Sequence, residues 1–116
     1  MSFEYINTEY LESVSGGDRD IVIELAGMFR EQASEMADEM DSLLEKGDYY
    51  SLGLLAHKAK SSVAIMGMNE LASMLKTFEL QAKESKETDK YPQYISRFRQ
   101  DTNSAVKELD EFIGDL

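Results

Sequence analysis

Along most of this chain, apolar residues recur at steps of three and four, the spacing that gathers them on one face of an α-helix. Between Ser15-Gly16-Gly17 and Gly47, such a face is marked by Ile21, Leu25, Met28, Met36, Met40 and Leu43, with Val22, Phe29, Ala33 and Leu44 widening it. Asp18 is placed to cap the start of this helix, Gly47 to stop it, and Asp48 to cap the next. A third helix is predicted to reach Met66 or Gly67, where Gly67-Met68-Asn69 makes a tight turn. The fourth shows Leu71, Met74, Leu75, Phe78 and Ala82. Beyond the polar stretch from Glu84 to Lys90, Pro92 suits the first turn of a last helix, with Tyr91, Ile95, Phe98, Thr102, Ala105, Leu109 and Phe112 in register. A short first helix is predicted from a cap at Asn7 to about Val14. No segment alternates as a strand would. Four substantial helices with short connections predict an all-α fold, an antiparallel up-down four-helix bundle with a short extra N-terminal helix.

At 116 residues the chain has room for one domain spanning 1–116 and a real core. Seven methionines, mostly at stripe positions, read as adaptable core filler. The absence of cysteine excludes disulfides and thiolate chemistry and suits a reducing cytoplasm. No apolar run approaches the roughly 20 residues of a membrane span, and Met1-Ser2-Phe3-Glu4 lacks a leader's basic-then-apolar layout. A net charge of −11 argues against nucleic acid, whose phosphates it repels, and most of these charges read as a solvated surface.

The single histidine carries the chemistry. At about 100° per residue, Leu52, Leu55, Ala56, Ala59, Val63 and Met66 cluster on one face of the third helix, and His57 points about 150° away from it. It is therefore expected in solvent. Gly53, Lys60, Ser61 and Ala64 share its side, three tiny residues and one cation. Exposed helix positions favour long side chains, and glycine costs about 1 kcal/mol against alanine. A face kept low around one imidazole suits a large docking partner. A neutral imidazole nitrogen is an available nucleophile. A phosphoryl group arriving there brings close to two negative charges, which Lys60 one turn away can offset.

Glu79 and His57 are each eleven residues from the turn at Met68, so an antiparallel hairpin sets them at one level. Spacing does not fix whether they face each other. If they do, the carboxylate accepts the Nδ1 proton and leaves Nε2 as the nucleophile; otherwise Glu79 is a solvated helix charge. Lys76 and Lys83 share its side of the helix.

Ala56-His57-Lys58-Ala59-Lys60-Ser61-Ser62, followed by Met66-Gly67-Met68, Leu71, Leu75 and Phe78-Glu79, resembles the signature of the histidine phosphotransfer (HPt) domain family. Gly17-Asp18, Phe29, Leu44 and Gly47-Asp48 extend the similarity to roughly residues 4 to 114. The resemblance implies a helical bundle whose exposed histidine takes a phosphoryl group from a receiver-domain aspartate and passes it to another receiver in two-component signalling. By matching position it implies His57 as phosphoacceptor, Lys60 as the phosphate-side cation and Glu79 as the side chain that hydrogen-bonds the histidine. Gly67 matches the glycine near the site, and Ser61 stands where the family most often has glycine. The docking surface is expected to comprise Gly53, Ser61, Ala64 and Gly67.

The partners this implies are response-regulator receiver domains and a hybrid sensor histidine kinase, with a monomer as the expected state. No cofactor of its own is expected; Mg²⁺ would come with the receiver. The chain shows no glycine-rich phosphate loop, nucleophile elbow or second histidine, so a phosphocarrier is expected rather than an enzyme with its own ATP site. Two alternatives stand beside this: an adaptor bundle in which His57 is incidental, and the phosphoacceptor module of a larger histidine kinase. Met1 at the start and an ending just past the last helix favour a free-standing protein, and the lack of cysteine, span and leader leads to the cytoplasm as its expected place.

Overall fold

A computed structural model describes residues 3–116; Met1 and Ser2, part of the stretch considered above for a leader, lie outside the described residues. The fold is all-helical, with helices α1 (Thr8–Ser15), α2 (Arg19–Lys46), α3 (Tyr49–Ile65), α4 (Asn69–Lys83) and α5 (Tyr91–Asp115), and a single 3₁₀ turn at Thr88–Lys90 before α5. The predicted punctuation acts as expected. Asn7 accepts a hydrogen bond from the Tyr10 N–H, Asp18 from that of Asp20 and Asp48 from that of Ser51, each satisfying an amide that the first helical turn leaves free. Gly47 ends α2 at φ 71°, a left-handed geometry that costs a glycine nothing. Pro92 lies in the first turn of α5, where no amide hydrogen is needed.

The molecule is elongated, 44 × 20 × 19 Å. The closest helix pairs are α3 with α4 and α2 with α5, and α2 also packs on α3. The α5 stripe is buried as predicted from Tyr91 to Phe112, as is the α4 stripe from Leu71 to Ala82. In α2 the prediction is wrong in part. Ile21 and Met28 are 41% and 51% exposed, and the buried face is Val22, Ala26, Phe29, Ala33, Met36, Ala37 and Met40. Three of those seven are alanines, which let α2 approach its neighbours closely yet add little to a hydrophobic pattern. Met28 thus leaves the core, while Met36, Met40, Met66, Met68 and Met74 remain in it.

The segment before α1 is strapped across the end of the fold. Backbone N–H groups of Glu4, Tyr5 and Ile6 all donate to the Glu108 carboxylate on α5, and Phe3 meets Phe112 edge-on. The Asn7 N–H donates to the Met66 carbonyl at the end of α3. No helix among the described residues is long and apolar enough to cross a membrane.

Candidate functional site

Burial of Leu52, Ala56, Ala59 and Val63 fixes the rotation of α3 and turns His57 outward, its side chain 57% exposed. On α4, burial of Leu71, Leu75, Phe78 and Ala82 sets that helix against α3 and carries Glu79 to the histidine. His57 Nδ1 lies 3.1 Å from each carboxylate oxygen of Glu79, so the two residues that spacing placed at one level do face each other.

Glu79 is only 7% exposed, a rare setting for a carboxylate unless it is paired. The pairing is ample. Lys83 Nζ donates to Oε2 at 2.8 Å, and Lys60 Nζ stands 3.6 Å from Oε1. Burial pushes the Glu79 carboxyl up, but the hydrogen bonds from Lys83 and His57, with their charges, outweigh it and hold it at about 2. At neutral pH the group is an anion that can only accept hydrogen bonds. Nδ1 must therefore be the donor, and in the neutral ring the lone pair is left on Nε2. Nε2 makes no hydrogen bond among the described residues, and the side chain that carries it is more than half exposed.

Lys83 is the residue that sequence reasoning left without a role. Its signal was present in the i,i+4 spacing from Glu79, the register at which helical carboxylate–lysine pairs meet. Lys76, on the same side of α4, is exposed. Around the site α3 contains no acidic residue, although the chain as a whole carries −11.

Ser61 and Ala64 lie exposed beside His57 as expected, and the Ser61 hydroxyl reaches back along its own helix toward the His57 carbonyl at 3.5 Å. Two other expectations fail. Gly53 is buried rather than displayed: a Cβ there would stand 2.9 Å from Lys83 Cγ, 3.0 Å from the Glu79 carbonyl and 3.1 Å from the Lys83 nitrogen. The backbones of α3 and α4 approach closely here. Gly67 is half-buried at the turn between these helices, at φ 77° with Asn7 packed on it, ten residues and about 15 Å along the helix from His57. The exposed apolar residues Leu54 and Ile65, within about 80° of His57 on α3, were not anticipated. No group of three or more His, Asp or Glu among the described residues is arranged to hold a metal ion.

In comparisons with known proteins, a family model described as the Hpt domain matches residues 24–113, which takes in most of α2, all of α3 and α4 and nearly all of α5. The strap and α1 lie outside the match. No curated protein and no solved structure matches the chain.

Proposed function

Because the chain belongs to the Hpt domain family, we propose that His57 is its phosphoacceptor, taking a phosphoryl group from a receiver-domain aspartate and returning it to another receiver domain. Histidine phosphotransfer within a phosphorelay is what membership of the family implies. The observation that carries the residue assignment is the His57–Glu79 pair: an exposed imidazole whose Nδ1 is engaged by a buried carboxylate, leaving Nε2 as the nucleophile. Glu79 orients the ring, and Lys60 is the cation for the incoming phosphate. Mixing the protein with a phosphorylated receiver domain and Mg²⁺ tests the reading. Acid-labile phosphate should move to this chain, and an adaptor bundle would take up none.

In this reading the module is a monomeric phosphocarrier spanning residues 1–116 in the cytoplasm, served by a hybrid sensor kinase and by receiver domains that bring the metal. The four long helices form an antiparallel up-down bundle with α1 appended. Ion pairs Arg30–Asp110 and Arg99 with Asp38 and Asp41 support opposite directions for α2 and α5, as the contacts of Gly53 with Lys83 and His57 with Glu79 do for α3 and α4.

Lys60→Ala should slow transfer roughly tenfold, the worth of one hydrogen bond to a charged group at about 1.5 kcal/mol. Thermal or urea unfolding should fall by no more than about 1 kcal/mol, because Lys60 is a partly buried second cation at 3.6 Å and Lys83 still holds the Glu79 carboxylate at 2.8 Å. A large loss of stability with normal transfer would make Lys60 structural.

The landing surface for the receiver is the low ground of Ser61 and Ala64, flanked by exposed Leu54 and Ile65. Ala64→Tyr raises that ground without touching the core. Transfer from a receiver should fall while reaction with phosphoramidate, a small donor, is retained. Unimpaired receiver transfer would move the partner elsewhere, and equal loss with both donors would mean that the site itself was damaged.

A further inference from the structure

Ser61 is a hydroxyl beside His57 that the fold does not use. It stands one turn on, about 6 Å along α3 and about 40° around it. Helical side chains lean toward the N-terminus, so its hydroxyl is carried back over the turn that begins at His57. The bond it makes there is weak. Its Oγ lies 3.5 Å from the His57 carbonyl, well beyond the usual length for a hydroxyl donor. That carbonyl already accepts an amide within the helix, so it is not orphaned when the hydroxyl turns away. Serine is also a poorer helix former than alanine, and exposed Ser61 adds nothing to the core. The next hydroxyl along the chain is committed: Ser62 is turned to α2 and donates to Gln32 Oε1 at 3.3 Å.

The placement of Nε2 shows what the loosely held hydroxyl faces. Nδ1 is drawn to Glu79 on α4, which turns Nε2 away from that helix. Gly53 and Lys60 lie about 40–60° to the α4 side of His57, and Ser61 lies to the other side. A group carried on Nε2 therefore stands between Lys60 and Ser61. The Lys60 ammonium is already shared with Glu79 at 3.6 Å, whereas the Ser61 hydroxyl is shared with no side chain among the described residues.

We propose that Ser61 is a phosphoryl-binding residue whose hydroxyl donates to an oxygen of the phosphoryl group on Nε2 and biases the transfer equilibrium toward phosphate held on this chain. The inference rests on the reading that His57 is the phosphoacceptor.

In uptake, the Nε2 lone pair attacks the phosphorus of the partner's aspartyl phosphate and forms the P–N bond. The P–O bond breaks, and its electron pair leaves on the partner's carboxylate oxygen. Ser61 keeps its proton throughout and makes no covalent bond. Its hydroxyl rotates from the His57 carbonyl to a phosphoryl oxygen, exchanging a long bond to a neutral acceptor for one to an anion, the stronger kind. That bond exists only while His57 is phosphorylated, so it enters the equilibrium in full. One hydrogen bond to a charged group is worth roughly tenfold in an equilibrium constant. The chain then acts as a store as well as a conduit, since a larger share of the shared phosphate rests on His57.

The test reads the equilibrium rather than the rate, because a docking surface changes how fast phosphate moves but not where it comes to rest. The parent, Ser61→Ala, Ser61→Gly and Ser61→Thr are each equilibrated with one receiver domain and Mg²⁺. The phosphate starts either on the receiver or, through phosphoramidate, on this chain, and the two species are counted at dilution where no complex persists. In the alanine and glycine variants the ratio of phosphorylated chain to phosphorylated receiver should fall roughly tenfold, and threonine should restore it. Urea midpoints should be equal to the parent's or, for alanine, slightly higher, so that no loss of fold accounts for the change. An alanine variant whose equilibrium lies within about twofold of the parent would overturn the proposal, whatever its transfer rate, and would leave Ser61 as landing ground alone. A threonine variant that falls as far as alanine would overturn it too. Failure of the underlying reading looks different, since the parent's phosphate would then be found on a residue other than His57.

Discussion

His57→Gln should abolish the acceptance of acid-labile phosphate and leave the fold intact. The chain has no other imidazole, and hydroxyl or carboxylate side chains yield phosphates of different acid and base lability. Glutamine offers only an amide nitrogen, whose lone pair is delocalised and not nucleophilic. The cost to the fold should be small because the His57 side chain is 57% exposed, and a glutamine amide can still donate to Glu79. Urea unfolding should shift by no more than about 0.5 kcal/mol. Radiolabel from a phosphorylated receiver domain, scored after acid and alkali treatment, checks the outcome. Persistent acid-labile label on the variant would remove His57 from the chemistry, while a collapsed fold would show that the histidine supports the α3–α4 interface.

Much of this site could be read along the chain, and the reason is geometric. A helix facing a core on one side reports its rotation through its apolar stripe. Leu52, Ala56, Ala59 and Val63 therefore placed His57 outward, just as the seven-residue stripe of α5 matched its buried face. Level along a hairpin is also legible, and it put Glu79 opposite His57. Azimuth across two helices is not. The burial of Glu79 depends on how α4 leans on α3, and a carboxylate enters no hydrophobic pattern. Gly53 was misplaced for a related reason. It lies about 100° from the α3 stripe, in a sector shared with Lys60 and Ala64 that carries no large apolar side chain, yet at Gly53 it is covered by α4. A glycine at a close helix approach and a glycine on an open face look alike in sequence. In α2 the error ran the other way. Ile21 and Met28 were counted in the stripe and Ala26 and Ala37 were not, although small residues are what a close helix pair buries.

Filling Gly53 should therefore damage both stability and chemistry. A Cβ at this position already meets Lys83 Cγ at 2.9 Å; the Glu79 carbonyl and the Lys83 nitrogen, at 3.0 and 3.1 Å, are backbone and cannot swing aside. Two effects compete in Gly53→Ala. Helix propensity improves by about 1 kcal/mol, and overpacking costs about 1–3 kcal/mol. The contact with backbone decides for the second, so the alanine variant should be modestly less stable than the parent. Gly53→Leu places three further carbons in the same space and should lose more, at the upper end of that range. The displaced element is the turn of α4 that bears Glu79 and Lys83, so the consequence reaches the site. Lys83 loses the path its stem takes over α3, Glu79 loses its shortest contact, and the His57 ring is left free to exchange tautomers. Urea midpoints should fall in the order parent, alanine, leucine. Imidazole ¹⁵N shifts should move from one tautomer toward a mixture, and transfer from phosphoramidate should slow in step with them. An alanine variant more stable than the parent, with unchanged imidazole shifts, would show that α4 gives way without cost and that Gly53 is not what holds the two helices in register.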